Sequence, residues 1–487
     1  MAFDDQANMS RFRKSALWTA ALWICPAPAF AHGSARGMVM LLPTGYYQVA
    51  AALAVAASFA VLLGAPARRL RWLEARSAPL FYLRARPPRW PSWLSFALLC
   101  ALLLSGYAGN PDPLANPLPL SVWTLWWVGF TVLQGAAGNL WPLLNPWSGP
   151  LTALRRLCPR LRVAPFNPPR ALGYAPAFVL FLAFAWFELV DPAPDNPGRL
   201  ARAVLLYWCA TFAACLLFGE RDWFRRAEPF AIFFRLIGAC SPLLREPRRH
   251  RRRGARLAFR LCLPGAQLAA LPPLPLSGVC FVLLTLSSVS FDGLNKTFAY
   301  LSQLGINPLA FPGRSAVVAG NSAGLLLAFA ALAALFFGCV WSGCRLLQNP
   351  GAPGILRRSS GRLIYSLLPI SLVFHLAHYL TALLTNAQYA LRAFNDPFHL
   401  NWSVLGAENY RVTTSFTTHL PSVSMIWSAQ TGFIVLGHVI GITVAHLMAA
   451  RLFGDSRAAG ISQLPLAGLM VFYTWFGLWL LSTPAVG

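Results

Sequence analysis

The sequence predicts an all-α fold, a polytopic transmembrane helix bundle with about ten spans behind an N-terminal signal peptide. Three observations carry this. Of 487 residues, 57% are hydrophobic and 11% charged, whereas about a quarter of a soluble domain is charged. Apolar runs of about 20 residues, enough to cross a bilayer, recur along the chain. The basic residues behind the formal charge of +25 collect in alternate loops, as membrane topology demands. A nucleic-acid face would gather them on one surface, so the predicted partner is the lipid bilayer and not nucleic acid.

The N-terminus is read first. "RFRKSALWTAALWICPAPAFAHG" has a basic start, a short apolar stretch and the small-x-small site Ala29-Phe30-Ala31, which predicts a signal peptide over 1–31 cut after Ala31. Translation starts at Met1 or Met9. Ile24 before Cys25 argues against a lipoprotein. Residues 32–487 then form a single transmembrane helical domain.

Ten apolar segments follow, at 45–64, 92–109, 121–140, 171–190, 201–219, 268–289, 315–343, 363–384, 426–449 and 464–482. The loop 65–91 carries Arg68, Arg69, Arg71, Arg76, Arg84, Arg86 and Arg89, and the large basic loop 220–266 centres on "REPRRHRRRGARLAFR". Loops 141–170 and 344–362 are also basic. The alternate loops, including the longest at 385–425, carry few arginines. Positive-inside then puts both mature termini on the periplasmic side of a bacterial inner membrane. Within 220–266, "EPFAIFFRLIGACSPLL" (228–244) is short and holds Arg235, which predicts an interfacial helix on the inner leaflet. The polybasic run after it reads as a topology anchor against anionic lipid. Ten cysteines include no CxxC, and Cys25 leaves with the signal. Neither structural disulfides nor a thiolate zinc site is expected.

Candidate chemistry lies with the histidines. "FHLAHYLTAL" (374–383) places His375 and His378 at i, i+3 in an apolar run, and "LGHVIGITVAH" adds His438 and His446. Intramembrane ionisable residues are costly unless partnered, so they mark functional sites. Counting 1.5 Å per residue from Arg362 and Arg451 puts His375 and His438 at one height, about 20 Å from the inner boundary. His446 falls about 12 Å deeper, near the inner surface. His375, His378 and His438 can therefore hold a divalent transition metal, copper or zinc, or hydrogen-bond between helices instead. A bis-histidine haem between His375 and His438 is a further reading. After cleavage the chain begins at His32, whose α-amine and imidazole form a chelating pair suited to copper. A frayed terminus is the plainer account. Asp292, in "SVSFDGL", and Asp396, in "NDPFHLNW", are the candidate catalytic carboxylates, able to orient an imidazole or act as general base. Asn-Asp-Pro equally favours an ordinary turn at Asp396.

In order and spacing, "AHG" at the cleavage site, "GNLWPLLNPW" (138–147), "SVSFDGL" (288–294), "HLAHYL" (375–380), "DPF" (396–398) and "GHVIGITVAH" (437–446) resemble the multi-spanning bacterial membrane proteins named fenitrothion hydrolases. The chain departs from that pattern at His399-Leu400, where small residues are expected. The resemblance implies hydrolysis of an organophosphorus ester or similar apolar small molecule, here at a metal site facing the periplasm. The competing expectations are a permease or copper-handling protein using the same histidines, and the haem protein.

Overall fold

A computed structural model describes residues 39, 41–64, 77–84, 88–166, 170–250, 254–347, 354–454 and 456–486. The expected signal peptide and His32 lie outside the described residues.

Local chemistry sets the helix boundaries. Helix α1 spans Thr44–Gly64 and α2 spans Trp90–Ala108, with Pro91 in its first turn where no N–H partner is needed. The next span, α3, is broken. Asn116 caps a short turn, Pro117–Pro119; a π-helix follows over Leu120–Phe130 and an α-helix over Thr131–Ala137. Helix α4, Ala175–Leu189, has 15 residues and rises only about 22 Å. Asn196 caps α5, Pro197–Phe218, which stops at Gly219 with φ 84°. Beyond these lie α6, Pro229–Gly238; α7, Leu276–Leu294; α8, Val318–Leu346; α9, Leu367–Asn395; α10, Leu420–Phe453; and α11, Ser456–Ser482.

Each of the ten predicted apolar segments coincides with helix. Eight helices among the described residues are long and apolar enough to cross a membrane; the broken α3 and the short α4 are the two predicted segments outside that set. Helix α9 runs eleven residues past its predicted end, shortening the loop predicted at 385–425. Helix α7 is displaced toward its C-terminus, which brings Asp292 inside the last turn.

Helix α7 is the axis of the bundle. Its membrane-length window is 83% buried, the highest of the eight, and it touches α4, α8 and α9. Helix α9 packs on α10 and on the π-helix, while α11 lies between α10, α1 and α8. Two helices holding titratable groups, α4 and α9, thus flank one end of α7.

The structure bears on two expectations for the basic loop. Helix α6 does not lie on a leaflet surface: nine of its ten residues are buried, with Phe230, Phe233 and Phe234 against Trp126, Trp127 and Trp141. Its one charge, Arg235, reaches the carbonyl of Arg225, so a single arginine did not require an exposed face. The polybasic run, read as a topology anchor, is in part sheet. Leu243–His250 (β2) and Gly254–Cys262 (β3) pair antiparallel, and β3 pairs with Ser77–Arg84 (β1) in the order β1-β3-β2.

Glu228 makes the insertion of α6 possible. Its carboxylate accepts from the backbone N–H of Phe230 and Ala231 and from the Tyr207 hydroxyl, all at a fully buried site. Glu228→Ala leaves those donors unpaired and is expected to cost about 1–2 kcal/mol, as for loss of a helix cap. Glu228→Gln keeps one acceptor and costs less. Thermal unfolding in detergent checks the order; equal losses for both would remove the capping role.

Candidate functional site

The residues that converge come from α3, α4, α7 and α9. On α9, His375 and His378 stand one turn apart as predicted, but they do different things. His378 Nε2 lies 2.9 Å from Asp292 Oδ2 of α7. Tyr379, the next residue, donates from Oη to the same Asp292 oxygen at 2.8 Å and lies 3.2 Å from Glu188 Oε1 of α4. Lys296 Nζ sits 3.4 Å from Asp292 Oδ1. A chain of polar groups therefore runs Glu188–Tyr379–Asp292–His378, with Lys296 on the second carboxylate oxygen. The Lys296 side chain is 38% exposed and that of Asp292 only 7%, so the chain connects the surface with the interior.

The positions are fixed by the surrounding backbone. Arg314 donates to the carbonyls of Glu188 and Asp191 at the C-terminus of α4, where orphan carbonyls and the helix dipole favour a cation. Arg199 binds Asp191 through Nε and Nη2. Asn295 reaches the carbonyl of Leu189 from the end of α7. Glu188 and Asp292 are thereby held across one junction.

Tautomers follow from the acceptors. His375 Nε2 is 3.0 Å from the carbonyl of Trp127 in the π-helix; a carbonyl only accepts, so that nitrogen carries the proton and Nδ1 keeps the lone pair. The His375 ring meets Trp127 and Tyr379 edge-on, each with centroids 4.9 Å away. His378 presents Nε2–H to Asp292, leaving a buried Nδ1 with no hydrogen-bond partner.

His438 does not join them. Its Nδ1 turns back to the carbonyl of Ile434 on its own helix, 2.8 Å away. Among the described residues no three His, Cys, Asp or Glu side chains are arranged to hold a metal ion, so the expected His375–His378–His438 ligand set is not assembled. Equal height did not bring equal direction. In His375 and His438, the pair of the bis-histidine haem reading, one ring nitrogen each lies on a backbone carbonyl. His446, expected near the inner surface, is fully buried beside Gln463 of α11.

Asp396 belongs to its own loop. Its two carboxylate oxygens accept from the backbone N–H of Leu400 and Asn401 at 2.8 and 2.9 Å, closing a turn in which His399 and Asn401 have φ of 56° and 59°. Desolvation pushes its carboxyl up, but these N–H groups, that of Trp402 and the nearby His399 together hold it below the usual carboxylate range. His419 precedes α10 and faces Ser422.

Tyr379, Lys296 and the linking role of Glu188 were not identified from sequence. Tyr379 adjoins His378 in "HLAHYL", and Lys296 is one turn beyond Asp292. Both signals are visible only once Asp292 is placed within a helix. The chain matches no protein-family model, no curated protein and no solved structure.

Proposed function

We propose that this protein is an integral-membrane hydrolase of apolar esters, organophosphorus esters among them, with Asp292 and His378 as its water-activating pair. The observation that carries the reading is the orientation of His378: Nε2 bound to a carboxylate, and Nδ1 buried without a partner. Nδ1 takes a proton from water while Asp292 stabilises the resulting imidazolium. The hydroxide oxygen bonds to phosphorus or to the acyl carbon, and the ester oxygen leaves with the proton returned from Nδ1. Ester and water become acid and alcohol, and His378 is neutral again. Lys296 and Tyr379 keep the Asp292 carboxylate in place. This reading routes no step through a metal. The substrate class comes from the resemblance of the motifs to fenitrothion hydrolases.

A second reading has its own support. One hydroxyl, that of Tyr379, bridges two carboxylates, an arrangement suited to passing a proton, so a proton-linked permease would use the same residues. Reconstituted vesicles separate the two. Supplied with a neutral aryl phosphotriester, the hydrolase releases the phenol with no imposed proton gradient. Accumulation of intact ester inside the vesicles, driven by such a gradient, would replace the hydrolase with the permease.

The membrane reading extends to topology. We place ten spans in a bacterial inner membrane, counting α3 and α4, after a cleaved signal and with both mature ends periplasmic; the arginine distribution supports this. A reporter fused after Gly487 is expected to be active only when it is of the periplasmic type. Activity of a cytoplasm-only reporter there would overturn the orientation.

A further inference from the structure

The chain holds 40 lysines and arginines, of which only Lys14 and Lys296 are lysine. Lys14 falls within the expected signal peptide, outside the described residues. The other lysine stands at the site, with Nζ 3.4 Å from Asp292 Oδ1. The two oxygens of that carboxylate are shared out. Oδ1 takes the ammonium, while Oδ2 accepts the His378 Nε2–H at 2.9 Å and the Tyr379 hydroxyl at 2.8 Å. An ammonium is a compact point charge that can rest on one oxygen, whereas a planar guanidinium fork matches both oxygens of a carboxylate. An arginine here would compete with His378 for Oδ2.

The backbone around Lys296 is held from outside its own helix. Residues 484–486, which follow α11, run antiparallel to residues 296–298. The Phe298 N–H donates to the carbonyl of Pro484 at 3.1 Å, and the Val486 N–H donates to the carbonyl of Lys296 at 2.9 Å. Thr297 pairs with Ala485 between them. The end of α11 is tied in turn to α1, where the Gln48 amide donates to Ser482 Oγ at 2.9 Å. Given Asp292 and His378 as the water-activating pair proposed for this site, we infer that Lys296 is a positioning residue: its ammonium, set in place by residues 484–486, occupies Oδ1 and so reserves Oδ2 for His378.

The test uses the full chain in reconstituted vesicles, with turnover of a neutral aryl phosphotriester and the rate of Lys296 acetylation by acetic anhydride, mapped by mass spectrometry. Lys296→Met removes the charge but leaves Oδ2 to His378, so turnover falls only about fivefold, the most that a half-exposed ion pair supports. Lys296→Arg keeps the charge yet brings the fork onto Oδ2, so turnover falls about 10²-fold, as for a reacting group displaced by about 1 Å. A cation needed for its charge alone would give the reverse order. If Lys296→Arg does not fold, guanidination of the folded wild type with O-methylisourea makes the same change of head group and carries the same loss. Val486→Pro removes the N–H that holds the Lys296 carbonyl, and Val486→Ala keeps it. An amine released from Asp292 is expected to acetylate about fivefold faster in Val486→Pro, with Val486→Ala reacting as the wild type does. Turnover in Lys296→Arg, or in the guanidinated protein, equal to or above that of Lys296→Met overturns the reserved oxygen. Unchanged acetylation in Val486→Pro overturns the part played by residues 484–486. Wild-type turnover in His378→Gln overturns the hydrolase reading and the role of Oδ2 with it, while faster acetylation in Val486→Pro still supports the hold on Lys296.

Discussion

Replacing His378 by Gln is expected to lower turnover of a neutral aryl ester by about 10²–10⁴-fold, the contribution of a positioned general base. The amide preserves size and can still reach Asp292 Oδ2, so the bundle keeps its packing while the basic Nδ1 disappears. Asp292→Asn is the sharper test. His378 now donates Nε2–H to a carboxylate oxygen 2.9 Å away. An amide Nδ2–H in that place instead favours the tautomer with its proton on Nδ1. The base then carries a proton where it should accept one, and the loss reaches about 10⁴-fold. Asp396→Asn is expected to leave turnover unchanged, since Asp396 serves only the backbone of its loop. Initial rates on protein that remains monodisperse supply the comparison. Wild-type turnover in His378→Gln would falsify the assignment of the base.

The helices were legible in the sequence because their cause is local. Twenty apolar residues without charge imply a span whatever surrounds them, and ten such runs became ten regions of helix. Helix α6 was misplaced because composition cannot distinguish an apolar segment lying on lipid from one buried among Trp126, Trp127 and Trp141. Pairing of residues 77–84 with the strand Gly254–Cys262 was hidden for the opposite reason. Contacts between segments so far apart in the chain leave no periodicity in a basic run. At the site, the cost of burying an imidazole drew attention to His375 and His378, and each has one hydrogen-bond partner. What spacing could not supply was azimuth. Helical rise puts His438 at the height of His375, yet its Nδ1 bonds the carbonyl of Ile434, and the carboxylate that completes the network is Glu188 from α4. Tyr379 went unnoticed because an aromatic residue in an apolar helix offers no contrast until its hydroxyl is seen between two carboxylates.

The helix that carries the site is held by close approach at two glycines, and here the second large effect is expected. A Cβ on Gly437 of α10 would lie 2.1 Å from Val373 Cγ2 and 3.0 Å from the carbonyl oxygen of Pro369; one on Gly441 would lie 2.7 Å from that of Ser366. Gly437 and Gly441 form a small-xxx-small pair that lets α9 and α10 approach backbone to backbone. His378 is five residues beyond Val373 on α9, about 7.5 Å along the axis. A larger residue at Gly437 must push α9 away, and a shift of about 1 Å at the reacting groups is enough to cost about 10²-fold in rate. Gly437→Leu is therefore expected to lose about 2–3 kcal/mol of stability, the upper part of the range for overpacking, together with turnover per folded molecule. Gly432→Leu on the same helix meets nothing within 4 Å and should change neither. Gly343 of α8, whose Cβ would fall 1.9 Å from the carbonyl oxygen of Ser462, separates the two consequences. Gly343→Leu strains the α8–α11 contact, away from α9, so thermal stability falls while the rate of the remaining folded protein is retained. Should Gly432→Leu and Gly437→Leu prove equally harmful, close packing of α10 on α9 is not what positions His378.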